Sequence, residues 1–575
     1  MNHLWEFQPT TPDLDKAAKE LAAELGLPPV LGLLLIRRGI TNAHDAKKFF
    51  HPLLSDLIDP FFMKDMDKAV DRLNEAIGMK EKILVYGDYD VDGCTAVTLV
   101  YKFLHNLYSN VEYYIPDRQD DGYGISTKNI DRAAAMGVKV IIILDCGIKA
   151  IDEIAYAKTL GIDFIVCDHH VPDDVLPPAY AILDPKREDE TYPYHDLCGC
   201  GIGFKFMQAF SINNGIEFSR LTPLLELCAI SIGADIVPIM GENRILAYHG
   251  LRQLNSNPSI GVQAILQICG LDNKEITMND VIFRIGPRIN ASGRIQNGSE
   301  TIALLIEKNI DKATEMANTI NAYNEARKDI DKQMTEEANA IIDSMKNLED
   351  KRSIVIYGET WHKGVIGIVA SRLTELYCRP TVVIAVDGEY GTASARSVMG
   401  FDIYSAVQSC RDLLENFGGH TYAVGLTLKK ENIKPFIKRF ENYVEQHITE
   451  KQTQPSFLID GVLDFKDINK KFHHDLKKFR PFGPENNKLL FCTKNVYDYG
   501  TSKVVGREQE HIKLELVDNK SNNIMSGIAF GQSSYARFIK SKRAFDICYS
   551  IEENIYKHNE VQLQIEDIKP ASEKE

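Results

Sequence analysis

Four short segments in the first half of the chain carry acids and imidazoles that could do metal chemistry. The first is Asp88-Tyr89-Asp90-Val91-Asp92-Gly93. Its D-x-D-x-D-G pattern opens an EF-hand calcium loop. The twelfth loop position, however, is Leu99 rather than a bidentate Glu, and the segment follows a strand-like run, Ile83 to Tyr86, rather than a helix. Three acids at a strand end repel one another unless a cation intervenes; a solvated acidic turn is the plain alternative. The second segment is Leu144-Asp145-Cys146-Gly147, the third Cys167-Asp168-His169-His170, and the fourth Gly233-Ala234-Asp235-Ile236-Val237-Pro238, closing a helix predicted over Leu224 to Ile232. Each alone is weak. Four in order, at the edge where a parallel sheet binds ligands, point to one site. Carboxylates mixed with imidazole suit Mn²⁺ or Mg²⁺ better than zinc. There are enough of them for two ions, which together can activate a water and clamp a displaced phosphodiester.

The elements around these segments alternate. Apolar runs at Ile83–Tyr86, Val138–Leu144, Phe164–Cys167 and Ala181–Leu183 read as strands, and Thr95–Leu107 and Ile151–Leu160 as helices between them. That alternation predicts βαβ units and a mostly parallel sheet. Residues 311 to 346 repeat apolar positions at three- and four-residue steps without Gly or Pro. They predict one helix of roughly 50 Å at 1.5 Å per residue, a rigid connector between two α/β domains. The second α/β pattern begins after it: strand Ser353–Tyr357, helix Val365–Leu376, strand Thr381–Val386. Short runs at Ile512–Val517, Phe545–Tyr549 and Val561–Ile565 predict a small β-barrel.

Several segments have the chemistry to hold phosphate. Ile115-Pro116-Asp117-Arg118 follows a strand and brings an arginine near the same sheet edge. Gly286-Pro287-Arg288-Ile289-Asn290-Ala291-Ser292-Gly293-Arg294 packs two arginines and three small residues into what reads as one turn, against the alternative of an ordinary surface loop. Further along stand Trp361-His362-Lys363-Gly364, Ser394-Ala395-Arg396-Ser397 and a glycine-rich turn, Gly418-Gly419-His420-Thr421-Tyr422-Ala423-Val424-Gly425. Glycines let backbone amides approach an anion, although a tight turn is their commoner use.

Composition sets the bounds. The 575 residues exceed one compact core, so three or four domains are expected. No apolar run is long enough to span a membrane, and the start lacks a signal-peptide pattern. Eleven cysteines without a CxxC pair fit a reduced, cytoplasmic setting. The net charge of −15 argues against a nucleic-acid binder. The excess is uneven, however: residues 451–575 hold 20 Lys and Arg against 18 Asp and Glu, so the acid lies in the first 450 residues.

The ordered set DYDVDG, LDCG, DHH and GADIVP resembles the four motifs of the DHH phosphoesterase superfamily, most closely its RecJ branch, over residues 80–570. The resemblance implies an α/β fold: a parallel-sheet DHH catalytic domain (76–305) after an N-terminal helical region (1–75), a connector helix (306–348), a second α/β domain of DHHA1 type (349–448) and an OB-fold-like β-barrel (449–575). It implies a two-metal enzyme using Mn²⁺ or Mg²⁺, a single-stranded-DNA-specific 5′→3′ exonuclease releasing 5′-mononucleotides in repair and recombination. By that analogy Asp90 and Asp145 hold one ion, completed or supported by Asp88. Asp92, Asp145, His169 and Asp235 hold the other, with Asp145 bridging. Some relatives have histidine where Tyr86 stands. Asp168 and His170 support the ligands or touch phosphate. Arg118, Arg288, Asn290, Arg294, His362, Ser394, Arg396 and His420 face the substrate; Val424 departs from the family's usual alanine. The resemblance further implies a monomer, off the membrane, working with a single-strand-binding protein and a helicase. The competing expectations are a DHH–DHHA1 phosphodiesterase for short RNA or cyclic dinucleotides, and a non-catalytic scaffold that would have no need of the acidic motifs.

Overall fold

A computed structural model describes residues 3–117, 124–295, 298–345, 350–521, 523–554 and 560–571. Arg118 lies outside them. The chain divides into two compact units. The larger comprises Trp5–Gly293, Asn297–Asn318 and Leu458–Glu575; the smaller is built mainly of Thr319–Phe457.

In the larger unit five strands form a parallel sheet: β1 (Lys82–Gly87), β2 (Val111–Tyr114), β3 (Val138–Leu144), β4 (Asp163–Cys167) and β5 (Ala181–Leu183). Their order across the sheet is β2-β1-β3-β4-β5, every neighbouring pair parallel. The central run Val-Lys-Val-Ile-Ile-Ile-Leu is apolar almost throughout because both faces are covered. Ile141, Ile143, Phe164 and Val166 pack one face. Helix α1 (Val91–His105), helix α2 (Gly199–Asn213) and helix α3 (Leu225–Asp235) are themselves largely buried. Helix α1 starts four residues before the expected Thr95, capped by the Asp90 side chain, which accepts from Gly93 N at 3.0 Å. The register aligns Gly87, Leu144, Cys167 and Leu183 across four strands. The residue after each is Asp88, Asp145, Asp168 and Asp184.

One expectation is corrected here. The segment Gly286–Arg294 is not a turn: it forms the helix Gly286–Ile295, entered through a π-helical turn, Val281–Ile285. Its Gly293 lies so close to the Asp88–Asp90 loop that a Cβ there would meet Tyr89 O at 2.4 Å. The expected turn, Gly418 to Gly425, is the tip of a hairpin: the strand Leu414–His420 turns at Thr421-Tyr422 and pairs with Ala423–Lys429. In the smaller unit those two strands join Tyr390–Arg396, Thr381–Asp387 and Ile354–Gly358, in that order, in a mixed sheet. The long helix runs Ile310–Asp343, 34 residues.

The C-terminal barrel closes through five strands. Phe491–Asp498 pairs with both His511–Asp518 and Phe545–Glu553, and Val561–Pro570 and Ile524–Ala529 complete the circuit. Its interior, with Leu514, Leu516, Ile547 and Leu563, is continuous with Leu31, Leu34, Phe49 and Phe50 of the N-terminal helices. Arg244, 3% exposed, ties this core to the helices around the parallel sheet. It donates to Phe49 O at 2.8 Å, Phe479 O at 3.1 Å, Lys478 O at 3.2 Å and Arg480 O at 2.8 Å, and stands over the Phe49 ring at 3.6 Å. Replacing it strands several buried carbonyls. Arg244→Met is expected to cost at least about 3 kcal/mol in urea denaturation, with the loss smaller for Arg244→Lys.

Candidate metal centre and phosphate-binding residues

The acids of the four motifs converge. His169 Nε2 lies 3.2 Å from Asp145 Oδ1, 3.6 Å from Asp235 Oδ2 and 3.7 Å from Asp92 Oδ2. Ligand atoms of Asp92, His169 and Asp235 lie within 4.8 Å of one another, as do those of Asp88, Asp90 and Asp145, and those of Asp145, His169 and His170. Asp145 and His169 thus each belong to two groupings. Asp92 is 1% exposed, Asp145 3% and His169 6%.

The local sequence explains the convergence. Asp88, Asp145 and Asp168 leave adjacent parallel strands at one level. Asp145 has a positive φ of 60°, which Asp tolerates better than most residues. Gly199, at the start of α2, gives it room, since a Cβ there would sit 2.8 Å from Asp145 Cβ. Asp92 is held by the amides of Gly199 at 2.6 Å and Cys200 at 2.7 Å, and by Ser231 Oγ at 2.6 Å. Those amides open a helix, where the dipole favours an anion. Asp235 comes from the last turn of α3, which continues past the expected Ile232.

The electrostatics fit a cation. Burial, then the charge of Asp90, pushes the Asp92 carboxyl up to about 6 despite its three donors. Burial and the neighbouring Asp92 raise Asp145 well above the usual carboxylate range, and the same two causes raise Asp235. Carboxylates packed this densely without their own cations favour a divalent ion in the space they enclose. The donor set, oxygen-rich with one or two imidazoles, fits Mn²⁺ or Mg²⁺.

Asp168 behaves differently. Its carboxylate accepts from Ile148 N at 2.9 Å, His169 N at 2.8 Å and His170 Nδ1 at 2.8 Å. Burial works to raise it, but His170 and these donors hold it below the ordinary value. Burial likewise opposes charge on His170, yet Asp168 lifts that imidazole to about 9. Asp168 therefore aims the loop and His170. Tyr86 is fully buried; its hydroxyl donates to Gly124 O at 2.8 Å.

One acid escaped the sequence reading. Asp184, fully buried, stands next in the row of strand-end aspartates. Burial pushes it up to about 8. The signal was available: an apolar run, Ala181–Leu183, ending in Asp, as in the other motifs.

The phosphate-binding candidates fall into two groups. Arg288 and Asn290 are half-buried on the Gly286–Ile295 helix, Arg288 donating to Arg284 O at 2.8 Å. In the smaller unit Arg396 Nη1 donates to Ser394 Oγ at 2.8 Å, and burial lowers its pKa. Gly367, at the start of the Ile366–Tyr377 helix, leaves the space they occupy: a Cβ there would meet Arg396 Nη2 at 3.0 Å and Ser394 Oγ at 3.2 Å. Ala423 pairs with both Arg396 and His420, so the arginine and the histidine flank it across three strands. His362 Nδ1 accepts from Gly364 N at 3.1 Å, and Arg294 donates to Gly364 O at 2.8 Å. In the C-terminal region Phe479 is core, whereas Phe530 is exposed.

Comparison with known proteins follows the same division. The DHH family N-terminal domain matches residues 82–232, the DHHA1 domain 350–446 and the RecJ OB domain 459–567. The chain is 32% identical over 572 residues to the single-stranded-DNA-specific exonuclease RecJ of Salmonella typhimurium, covering 96% of this chain and 97% of that one. It is 36% identical over 519 residues to RecJ of Bacillus subtilis, covering 90% of this chain but 64% of that longer protein. The crystal structure of Thermus thermophilus RecJ in complex with Mn²⁺ superposes with a TM-score of 0.84, at 23% identity, over 99% of this chain and 80% of that one, which establishes the fold. With its three domain types in family order and its acids gathered at one sheet edge, the chain belongs to the RecJ family of DHH proteins.

Proposed function

We propose that this protein degrades single-stranded DNA from the 5′ end to 5′-mononucleotides by metal-dependent phosphodiester hydrolysis. The observation that carries the reading is the position of His169 Nε2, 3.2 to 3.7 Å from carboxylate oxygens of Asp92, Asp145 and Asp235. We assign Asp88, Asp90 and Asp145 to one ion and Asp92, Asp145, His169 and Asp235 to the other, Asp145 bridging. Bound there, two Mn²⁺ or Mg²⁺ ions would lower the pKa of an attacking water and neutralise charge on the displaced phosphodiester. Asp168 fixes His170, which as an imidazolium donates to a phosphate oxygen. Ser394 and Arg396 form an anion pocket of their own, assigned to the terminal 5′-phosphate, with His420, His362, Arg288, Asn290 and Arg294 as further substrate contacts. A terminal-phosphate pocket accounts for exonucleolytic polarity.

We place the activity in the reducing cytoplasm, which accords with eleven free cysteines, ten of them buried. Among the described residues no helix is long and apolar enough to cross a membrane. We further assign it a monomeric state and cooperation with a single-strand-binding protein and a helicase, as the family resemblance implies.

The direct test digests single- and double-stranded DNA, labelled at either end, with Mn²⁺ and with chelator. Metal-dependent loss of the 5′ label from single strands alone is expected; preferential hydrolysis of dinucleotides or cyclic dinucleotides would replace this reading with the short-substrate one. Asp145→Asn separates metal binding from folding. Removing one buried charge relieves repulsion, so the metal-free variant should melt on the order of 2–4 °C above wild type. It should also lose the stabilisation by Mn²⁺, and activity by at least about 10³-fold; a wild-type rate would overturn the ligand assignment. Arg396→Met should lower kcat/KM about 10- to 100-fold on 5′-phosphorylated strands and much less on 5′-hydroxyl strands.

A further inference from the structure

Beyond the metal ligands and phosphate contacts, the turn after β5 holds a lysine at the same sheet edge. Asp184 Oδ1 accepts from Lys186 N at 2.8 Å, closing the turn. Both flanks are pinned. Pro185 is buried and its carbonyl takes the His195 ring nitrogen at 2.5 Å. Arg187 is buried and donates to Ile182 O at 2.8 Å and Asp65 Oδ2 at 2.9 Å, with Asp189 also bound. The backbone of Lys186 is thus fixed, while its half-buried side chain makes no ion pair among the described residues. Its charge nevertheless reaches Asp184, in the same turn, and Asp235 of the centre, acting to lower both.

A lysine left unpaired among so many aspartates needs an explanation. With the acids engaged by divalent ions, this ammonium has no carboxylate to neutralise and presents its charge to an incoming anion. Strand β5 lies next to β4, about 4.8 Å away; His169 and His170 follow β4 and Lys186 follows β5, so the two turns leave neighbouring strands at the same sheet edge.

We propose that Lys186 is a further substrate-contacting residue, its ammonium holding the phosphodiester adjacent to the scissile one. This rests on the nuclease reading. A compact ammonium suits a single phosphate oxygen, and holding the next phosphate would keep the strand from sliding as the terminal nucleotide leaves.

The test uses the full-length protein and 5′-phosphorylated single strands carrying one neutral methylphosphonate, at the second or the third linkage, with first-turnover release of the terminal nucleotide as readout. On the all-phosphodiester strand, Lys186→Met is expected to lower kcat/KM about tenfold, the loss of one charge-assisted contact, chiefly through KM. That deficit should vanish when the second linkage is neutral and persist when the third is. Lys186→Arg should recover most of it, and Mn²⁺ should stabilise all variants equally. No deficit, a deficit of equal size on every strand, or one that vanishes only at the third linkage would overturn the assignment. If wild type itself shows no metal-dependent hydrolysis of single strands, the nuclease reading fails first and takes this one with it; any other failure is specific to Lys186.

Discussion

Repulsion among buried carboxylates is the constraint around which the catalytic sheet is built. Two unit charges 4 Å apart at an effective dielectric of 20 interact by about 4 kcal/mol. Asp88, Asp92 and Asp145 are all buried, with Asp90 and Asp235 beside them. Asp92 is held by two amides and Ser231. Burial and the neighbouring carboxylates push Asp145 and Asp235 upward. A polypeptide tolerates such an arrangement when cations enter the folded state and the energy comes from elsewhere. Here the apolar sheet, the barrel core shared with the N-terminal helices and the Arg244 clamp supply it.

Much of this was legible in the chain. Strands β3 and β5 have the predicted ends, because a both-faces-buried strand is a bare apolar run and its end is marked by the first charge. The acids could be placed at one edge for the same reason. What the residues could not show was direction. Asp168 and His169 are neighbours, yet one turns back to cap backbone amides while the other turns toward three carboxylates. The Gly286–Arg294 segment misled because Gly, Pro, Asn and Ser are turn formers by propensity. In this protein its glycines serve close packing, Gly293 against Tyr89, and tertiary contact overrides local preference. Asp184 shows the same pattern, an apolar run closed by Asp, but lies outside the four motifs on a strand of only three residues. Continuity of the barrel core with helices more than four hundred residues earlier has no local signature at all.

The net charge of −15 argues against a nucleic-acid binder when charge is taken as a property of the whole surface. The structure makes it local. Much of the acid that matters is buried, where it organises ions rather than repelling DNA at long range, since surface charges are screened beyond about 8–10 Å at physiological salt. The cations we propose to face substrate are few and individually built in: His170 raised by Asp168, Arg396 set against Ser394 beneath a glycine, Lys186 on a pinned turn. A protein that held DNA by a broad basic surface would release many counterions and bind any polyanion. One that meets the strand with a few positioned charges and bound metals gives up that general attraction. Its selectivity then comes from where the phosphates must fall, a geometric requirement that a flexible single strand meets at its end more readily than a duplex does.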